Sequence, residues 1–84
     1  MNELMMFEGN EVEVFELNGE VFFNASNVAK CLDIVNVNKN ITNMEDYEVK
    51  KLKNSDITNG YNRKLNNAGE NFLTEAGVYS LVMS

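Results

Sequence analysis

The run from Glu11 to Leu17 alternates polar and apolar residues at first, and a second strand-like run, Glu20 to Asn24, follows after Asn18-Gly19. Alternation with a period of two marks a strand. An Asn-Gly pair between two such runs marks a hairpin, because both central positions of a type I′ turn need positive φ. A two-residue loop sets Leu17 opposite Glu20, Phe15 opposite Phe22 and Val14 opposite Phe23. One face then holds Phe15, Leu17 and Phe22, and the other holds Val12, Val14, Val21 and Phe23. Such a hairpin needs covering on both sides, by the domain's own helices or by a partner. Ahead of it, Leu4 to Glu8 is a short apolar run that ends at the turn signal Gly9-Asn10.

From Ala25 to Asp33 the period changes to that of a helix, with Val28, Cys31 and Leu32 at i, i+3 and i+4. Asn24 or Ser26 is its N-cap candidate. After the connector Ile34-Val35, Asn36 is a second N-cap candidate, leading into Val37, Ile41 and Met44. Asn38, Lys39, Thr42 and Asn43 project from the opposite side of that second helix. The pair has a helix-turn-helix outline without the usual Gly in the turn. Tyr47 to Lys53 predicts an irregular strand with Val49 inward and the lysines outward. Residues 54 to 71 are polar and read as a long loop, with a second hairpin around Asn59-Gly60. Asn71 to Leu73 is a short strand. Thr74 caps a last helix striped by Val78, Leu81 and Val82, beside which Tyr79 is expected to pack rather than to stack on bases. A Gly inside a helix costs ~1 kcal/mol against Ala, so Gly77 signals close backbone packing. The expected fold is α+β: a small antiparallel sheet, made of the N-terminal hairpin plus short strands, packed with about three short helices.

Composition narrows the function. The 84 residues allow one domain. Histidine is absent, which removes Ser-His-Asp and Cys-His catalysis and His-ligated zinc. The acidic pairs Glu11/Glu13 and Glu45/Asp46 have no His, second Cys or calcium loop to work with. No catalytic site, metal, cofactor or small-molecule substrate is therefore expected, and the chain is not expected to be an enzyme. The single Cys31 falls on an apolar stripe and is expected to be buried in a reducing compartment. No apolar run approaches the ~20 residues of a membrane span, and the acidic Met1-Asn2-Glu3 is unlike a secretory signal.

The net charge is -6, but it is polarised. Residues 1 to 26 carry six Glu and no Lys or Arg, whereas residues 27 to 64 carry all seven basic side chains against five acidic ones. That basic middle is a thin electrostatic footprint for DNA. Asparagine is over-used, with fifteen copies.

Two blocks of sequence carry a family resemblance. After the Asn-Gly hairpin comes Phe22-Phe23-Asn24-Ala25-Ser26-Asn27-Val28-Ala29-Lys30-Cys31-Leu32, and the chain closes with Phe72-Leu73-Thr74-Glu75-Ala76-Gly77-Val78-Tyr79-Ser80-Leu81-Val82-Met83-Ser84. In this order they resemble the BRO N-terminal domain, found in baculovirus repeated-ORF proteins and in phage and prophage antirepressors. The likeness covers the chain from about Glu11. Family members often have Asp at Asn27 and Gly at Asp33, and many continue past Ser84. Residues 1–84 are thus expected to be one such domain lacking its C-terminal end. The resemblance implies an α+β DNA-binding domain, usually fused to a separate C-terminal domain, acting in the cytoplasm of a bacterial host. In antirepressors it implies interference with a phage repressor.

The DNA-binding candidates are Asn38, Lys39, Thr42 and Asn43 on the second helix, Lys50, Lys51 and Lys53, and Arg63 and Lys64 in the polar loop. Asn pairs bidentately with adenine, and Lys reaches guanine or phosphate. The bland reading of each group is a solvated helix face, the outer side of an edge strand, and a mobile loop. The expected partner is DNA, bound weakly, or else a phage repressor sequestered without DNA contact. Apolar residues on both hairpin faces also predict a homodimer.

Overall fold

The turn at Asn18-Gly19 has φ of 52° and 82°, so both residues take the left-handed conformation that a type I′ hairpin requires. In the computed structural model, which describes residues 2–7, 9–54, 56, 65 and 68–83, this turn joins β2 (Asn10–Leu17) to β3 (Glu20–Asn24). The pairing is Leu17 with Glu20, Phe15 with Phe22 and Val14 with Phe23, the register that the loop length predicts. The early apolar run becomes β1 (Asn2–Phe7), antiparallel to β2. Two short strands complete the sheet, β4 (Val49–Leu52) and β5 (Glu70–Leu73). The order is β1-β2-β3-β5-β4, antiparallel throughout, so β5 lies between β3 and β4 and β4 forms an edge. The predicted hairpin around Asn59-Gly60 lies outside the described residues.

Among the described residues, apolar side chains gather into a cluster on each face of the sheet. On one, Val12, Val14 and Leu73 meet Ala25, Val28 and Cys31 of α1 (Ala25–Cys31) and Leu81 of α3 (Glu75–Val82). Ile34 and Met44 pack against this cluster, as do Val37 and Ile41 of α2 (Val37–Thr42). On the other, Phe15, Phe22, Phe72 and Leu52 pack together, with Phe15 edge-on to Phe72 at 5.2 Å between ring centres. Leu65 closes that cluster from the stretch between β4 and β5. The amide of Asn54 holds it there: Nδ2 donates to the Leu65 carbonyl (2.9 Å), and Oδ1 accepts from the Leu65 N–H (2.8 Å). Cys31 is buried, as its place on the apolar stripe predicts.

α1 ends two residues before the sequence pattern does. Leu32 is its C-cap, and Asp33 adopts φ 58°. The Ile34 N–H reaches the Ala29 carbonyl (2.9 Å) and the Asp33 N–H the Lys30 carbonyl (3.3 Å), the two bonds of a Schellman stop. Asp33 thus occupies the left-handed position that suits glycine, the residue often found there in the resembling family.

α3 is fixed at its start. Thr74 Oγ1 accepts from the Gly77 N–H (3.2 Å) and donates to the Tyr47 carbonyl (2.7 Å), while the Thr74 N–H donates to the Glu48 carbonyl (3.0 Å). A Cβ on Gly77 would lie 1.9 Å from that same Glu48 oxygen. The close backbone approach expected from Gly77 is therefore present, between the first turn of α3 and the turn before β4. The apolar stripe differs from expectation. Gly77 and Leu81 are buried and Val78 is half-buried, but Val82 is 55% and Tyr79 60% exposed. Because the close approach at Gly77 and the packing of Leu81 put that side of α3 against the sheet, Tyr79 falls on the outer side and is not a packed core tyrosine.

Candidate nucleic-acid interface

A short helix is displayed by what holds its inner side. Val37, Ile41 and Met44 are half-buried against the helix-covered core, and no residue of α2 is fully buried. Asn38, Lys39, Thr42 and Asn43 are all exposed, as the period of the helix predicts. Two of the four turn back on the helix: Thr42 Oγ1 donates to the Asn38 carbonyl (2.8 Å), and Asn43 Nδ2 lies 3.5 Å from the Lys39 carbonyl. A hydroxyl whose hydrogen is engaged in this way presents only its acceptor outward.

α1, before it, is scaffold. Asn24 Oδ1 caps the helix by accepting from the Asn27 N–H (3.1 Å). Its Nδ2 donates to Glu13 Oε1 (3.2 Å), and Asn27 Oδ1 accepts from the Glu13 N–H (2.9 Å). This happens one step beyond the last β2–β3 pair, Val14 with Phe23, so side-chain amides take over where the strand ladder stops. Glu13, 7% exposed, therefore joins β2 to α1, while Glu11, Glu45 and Asp46 are exposed. Among the described residues no three Cys, His, Asp or Glu side chains gather as a metal site.

The lysines do not form one row. Lys50 pairs with Phe72 and Lys51 with Asn71, and successive strand residues point to opposite faces. Lys50 therefore shares the side of the phenylalanine cluster, and Lys51 shares the side of the helices. The lysines are outward in exposure, as the sequence pattern predicts, but the pleat sends Lys50 and Lys51 of β4 to opposite faces of the sheet. Lys50, Lys51 and Lys53 are all exposed on or beside this edge strand. The Lys53 N–H is held by Asp56 Oδ2 (2.8 Å). Arg63 and Lys64 lie outside the described residues.

Lys51 leads to a feature that sequence reasoning missed. Its stem lies over Gly69, where a Cβ would come within 2.8 Å of Lys51 Cγ. Gly69 and Asn71 line a cleft of about 210 Å³ between α2, the first turn of α1 and the start of β5. Asn38 lines its other wall, with Val37 and Ile41. One sequence feature pointed here, namely a glycine (φ 92°) and two polar residues opening an otherwise apolar strand.

A small antiparallel sheet that carries two helices in sequence on one face, the second with a polar exterior, defines an α+β display domain. The model of the BRO family N-terminal domain matches residues 11–84, and the chain belongs to that family. The match begins in β2 and takes in all three helices. No curated protein and no solved structure matches the chain. No helix among the described residues is long and apolar enough to cross a membrane.

Proposed function

We propose that this domain binds DNA through α2, as the antirepressor-type transcription-regulating domain of a phage or prophage. The BRO N-terminal family is associated with DNA-binding and antirepressor-type domains. The observation that carries the reading is the exposure of Asn38, Lys39, Thr42 and Asn43 on a helix that adds no fully buried residue to the core. Asn38 has the chemistry to take adenine N6 and N7, and Lys39 to take guanine or phosphate. Lys51 and Lys53 add phosphate contacts, which position without specifying. The domain acts in the bacterial cytoplasm without catalysis.

Seven cations on a chain of net charge -6 neutralise few phosphates at once. With about three to five contacts, log K falls against log salt by roughly 0.9 for each. Binding by one copy is weak, so a useful site takes a homodimer on a repeated sequence. A second reading, sequestration of a phage repressor, is favoured by the exposed Glu11, Glu16 and Glu20 of the hairpin, which repel a duplex. Titration of mixed duplexes and of purified repressor at ~20 mM salt separates the two. Duplex binding that weakens for every sequence in Lys39→Glu supports the first. Repressor binding without duplex binding replaces it with the second.

A further inference from the structure

β4 is an edge strand, and the phase of its ladder tells which main-chain groups it leaves open. The Thr74 N–H donates to the Glu48 carbonyl, one step before the pair Val49 with Leu73. Residues along an antiparallel strand alternate between bonding a neighbour and facing away from it. Lys50 and Leu52 therefore bond β5, and the N–H and C=O groups of Val49 and Lys51 point out of the sheet. Among the described residues no strand takes them up. Lys53 is closed, because its N–H donates to Asp56 Oδ2 and its carbonyl accepts from the Asp56 N–H (2.9 Å). Side chains set what the open stretch accepts. Lys50 and Lys51 are exposed and face Phe72 and Asn71 across the ladder, so neither has a carboxylate directly opposite. Val49 is half-buried against the helix-covered core, and Leu52 is buried in the phenylalanine cluster.

We propose that the β4 edge docks an extended acidic segment of a partner protein, added to the sheet as an antiparallel strand. Directly opposed side chains share a face and interact. Opposite Leu52, Lys51, Lys50 and Val49 the segment therefore carries apolar, acidic, acidic and apolar residues in turn. Lysines on an edge deter neutral and basic strands, and the same charges admit an acidic one. A second copy of this chain fits poorly. β4 against β4 sets lysine against lysine, and the other edge strand, β1, has no two adjacent acidic residues.

Strand addition goes beyond both functional readings above, and the failure of either leaves its test intact. The probe is the capped peptide Ser-Val-Glu-Glu-Val-Ser, titrated into the ¹⁵N-labelled chain at ~0.15 M salt, where distant charges are largely screened. A dissociation constant of about a millimolar or tighter is expected. The backbone amides of Val49 and Lys51 should shift and exchange more slowly, whereas those of Lys50 and Leu52 already bond β5 and should change little. N-methylation of the first Glu or the second Val, whose N–H groups face β4, should abolish binding. N-methylation of the second Glu, whose N–H faces away, should leave it within about twofold. Lys50→Glu combined with Lys51→Glu should weaken binding about tenfold and let Ser-Val-Lys-Lys-Val-Ser bind instead. Both positions are exposed, so the fold tolerates the change. No binding at millimolar peptide, equal binding of the acidic and basic peptides to the unaltered chain, or shifts that avoid Val49 and Lys51 would overturn the proposal. Indifference to N-methylation would reduce the edge to a patch of cations and overturn it as well. So would self-association through the same two amides without peptide, which would put a second copy at the edge.

Discussion

α1 and α2 are nearly equal in length and each follows an asparagine, yet they are held in opposite ways. Asn24 caps α1 with its side chain, whereas Asn36 makes no side-chain cap bond to α2. The difference lies outside either helix. Glu13 holds the Asn24 amide nitrogen and so turns its oxygen toward the Asn27 N–H. At the other end, α1 closes with both Schellman bonds and buries Ala25, Val28, Ala29 and Cys31, whereas α2 buries none fully. α3 belongs with α1, pinned by Thr74 and by the backbone approach at Gly77. The fold thus spends its anchoring contacts on two helices and leaves the third as a display surface. That division is what the proposed reading of DNA by α2 requires.

The sharpest way to probe the anchored side is Gly77→Ala. The added methyl overlaps the Glu48 carbonyl, so the α3 turn or the β4 approach has to move. A loss on the order of 3 kcal/mol or more is expected, enough to unfold much of a domain this small at room temperature. An unchanged urea midpoint would show that this junction yields easily and that α3 is not pinned.

Next in size is the contrast between the two asparagines. Asn24→Ala removes a cap and a donor to a buried carboxylate, and should cost about 2 kcal/mol. Asn36→Ala should stay within ~0.5 kcal/mol. Equal losses in chemical denaturation would abolish the distinction between α1 and α2. Asp33→Gly should work in the other direction, stabilising the chain by about 0.5–1 kcal/mol, because glycine adopts the left-handed position without a Cβ penalty. A drop in melting temperature would mean that the Asp33 side chain makes a contribution of its own to the stop.

The smallest expected effects are on α2. Asn38→Ala and Asn43→Ala should each change stability by less than ~0.5 kcal/mol, because both side chains are exposed. Asn38→Ala should nevertheless relax sequence preference among duplexes while leaving the salt dependence unchanged. A large stability loss would place α2 with the scaffold and remove the basis for reading it as an interface.

The sequence alone determined whatever depends on neighbours along the chain. Asn18-Gly19 set the hairpin register, since a two-residue turn with two positive φ values admits one pairing. The helical period placed Cys31 inside and Asn38, Lys39, Thr42 and Asn43 outside, and Thr74 and Gly77 announced the start and the close packing of α3. Those signals are local dihedral preferences and periodicities, and they survive without knowledge of the rest of the fold. The tertiary structure alone decided the rest. Placement of β5 between β3 and β4 is a pairing over long sequence separation, and it brings Asn71 and Gly69 to the wall opposite Asn38. The regular pleat of β4 sent Lys50 and Lys51 to opposite sides, and the docking of α3 on its Gly77–Leu81 side left Tyr79 outside. Which of two asparagines would cap its helix depended on Glu13, eleven residues away from one and on a different strand. An amide side chain bonds equally well to many partners, so its role is fixed only when the folded chain brings one of them within reach.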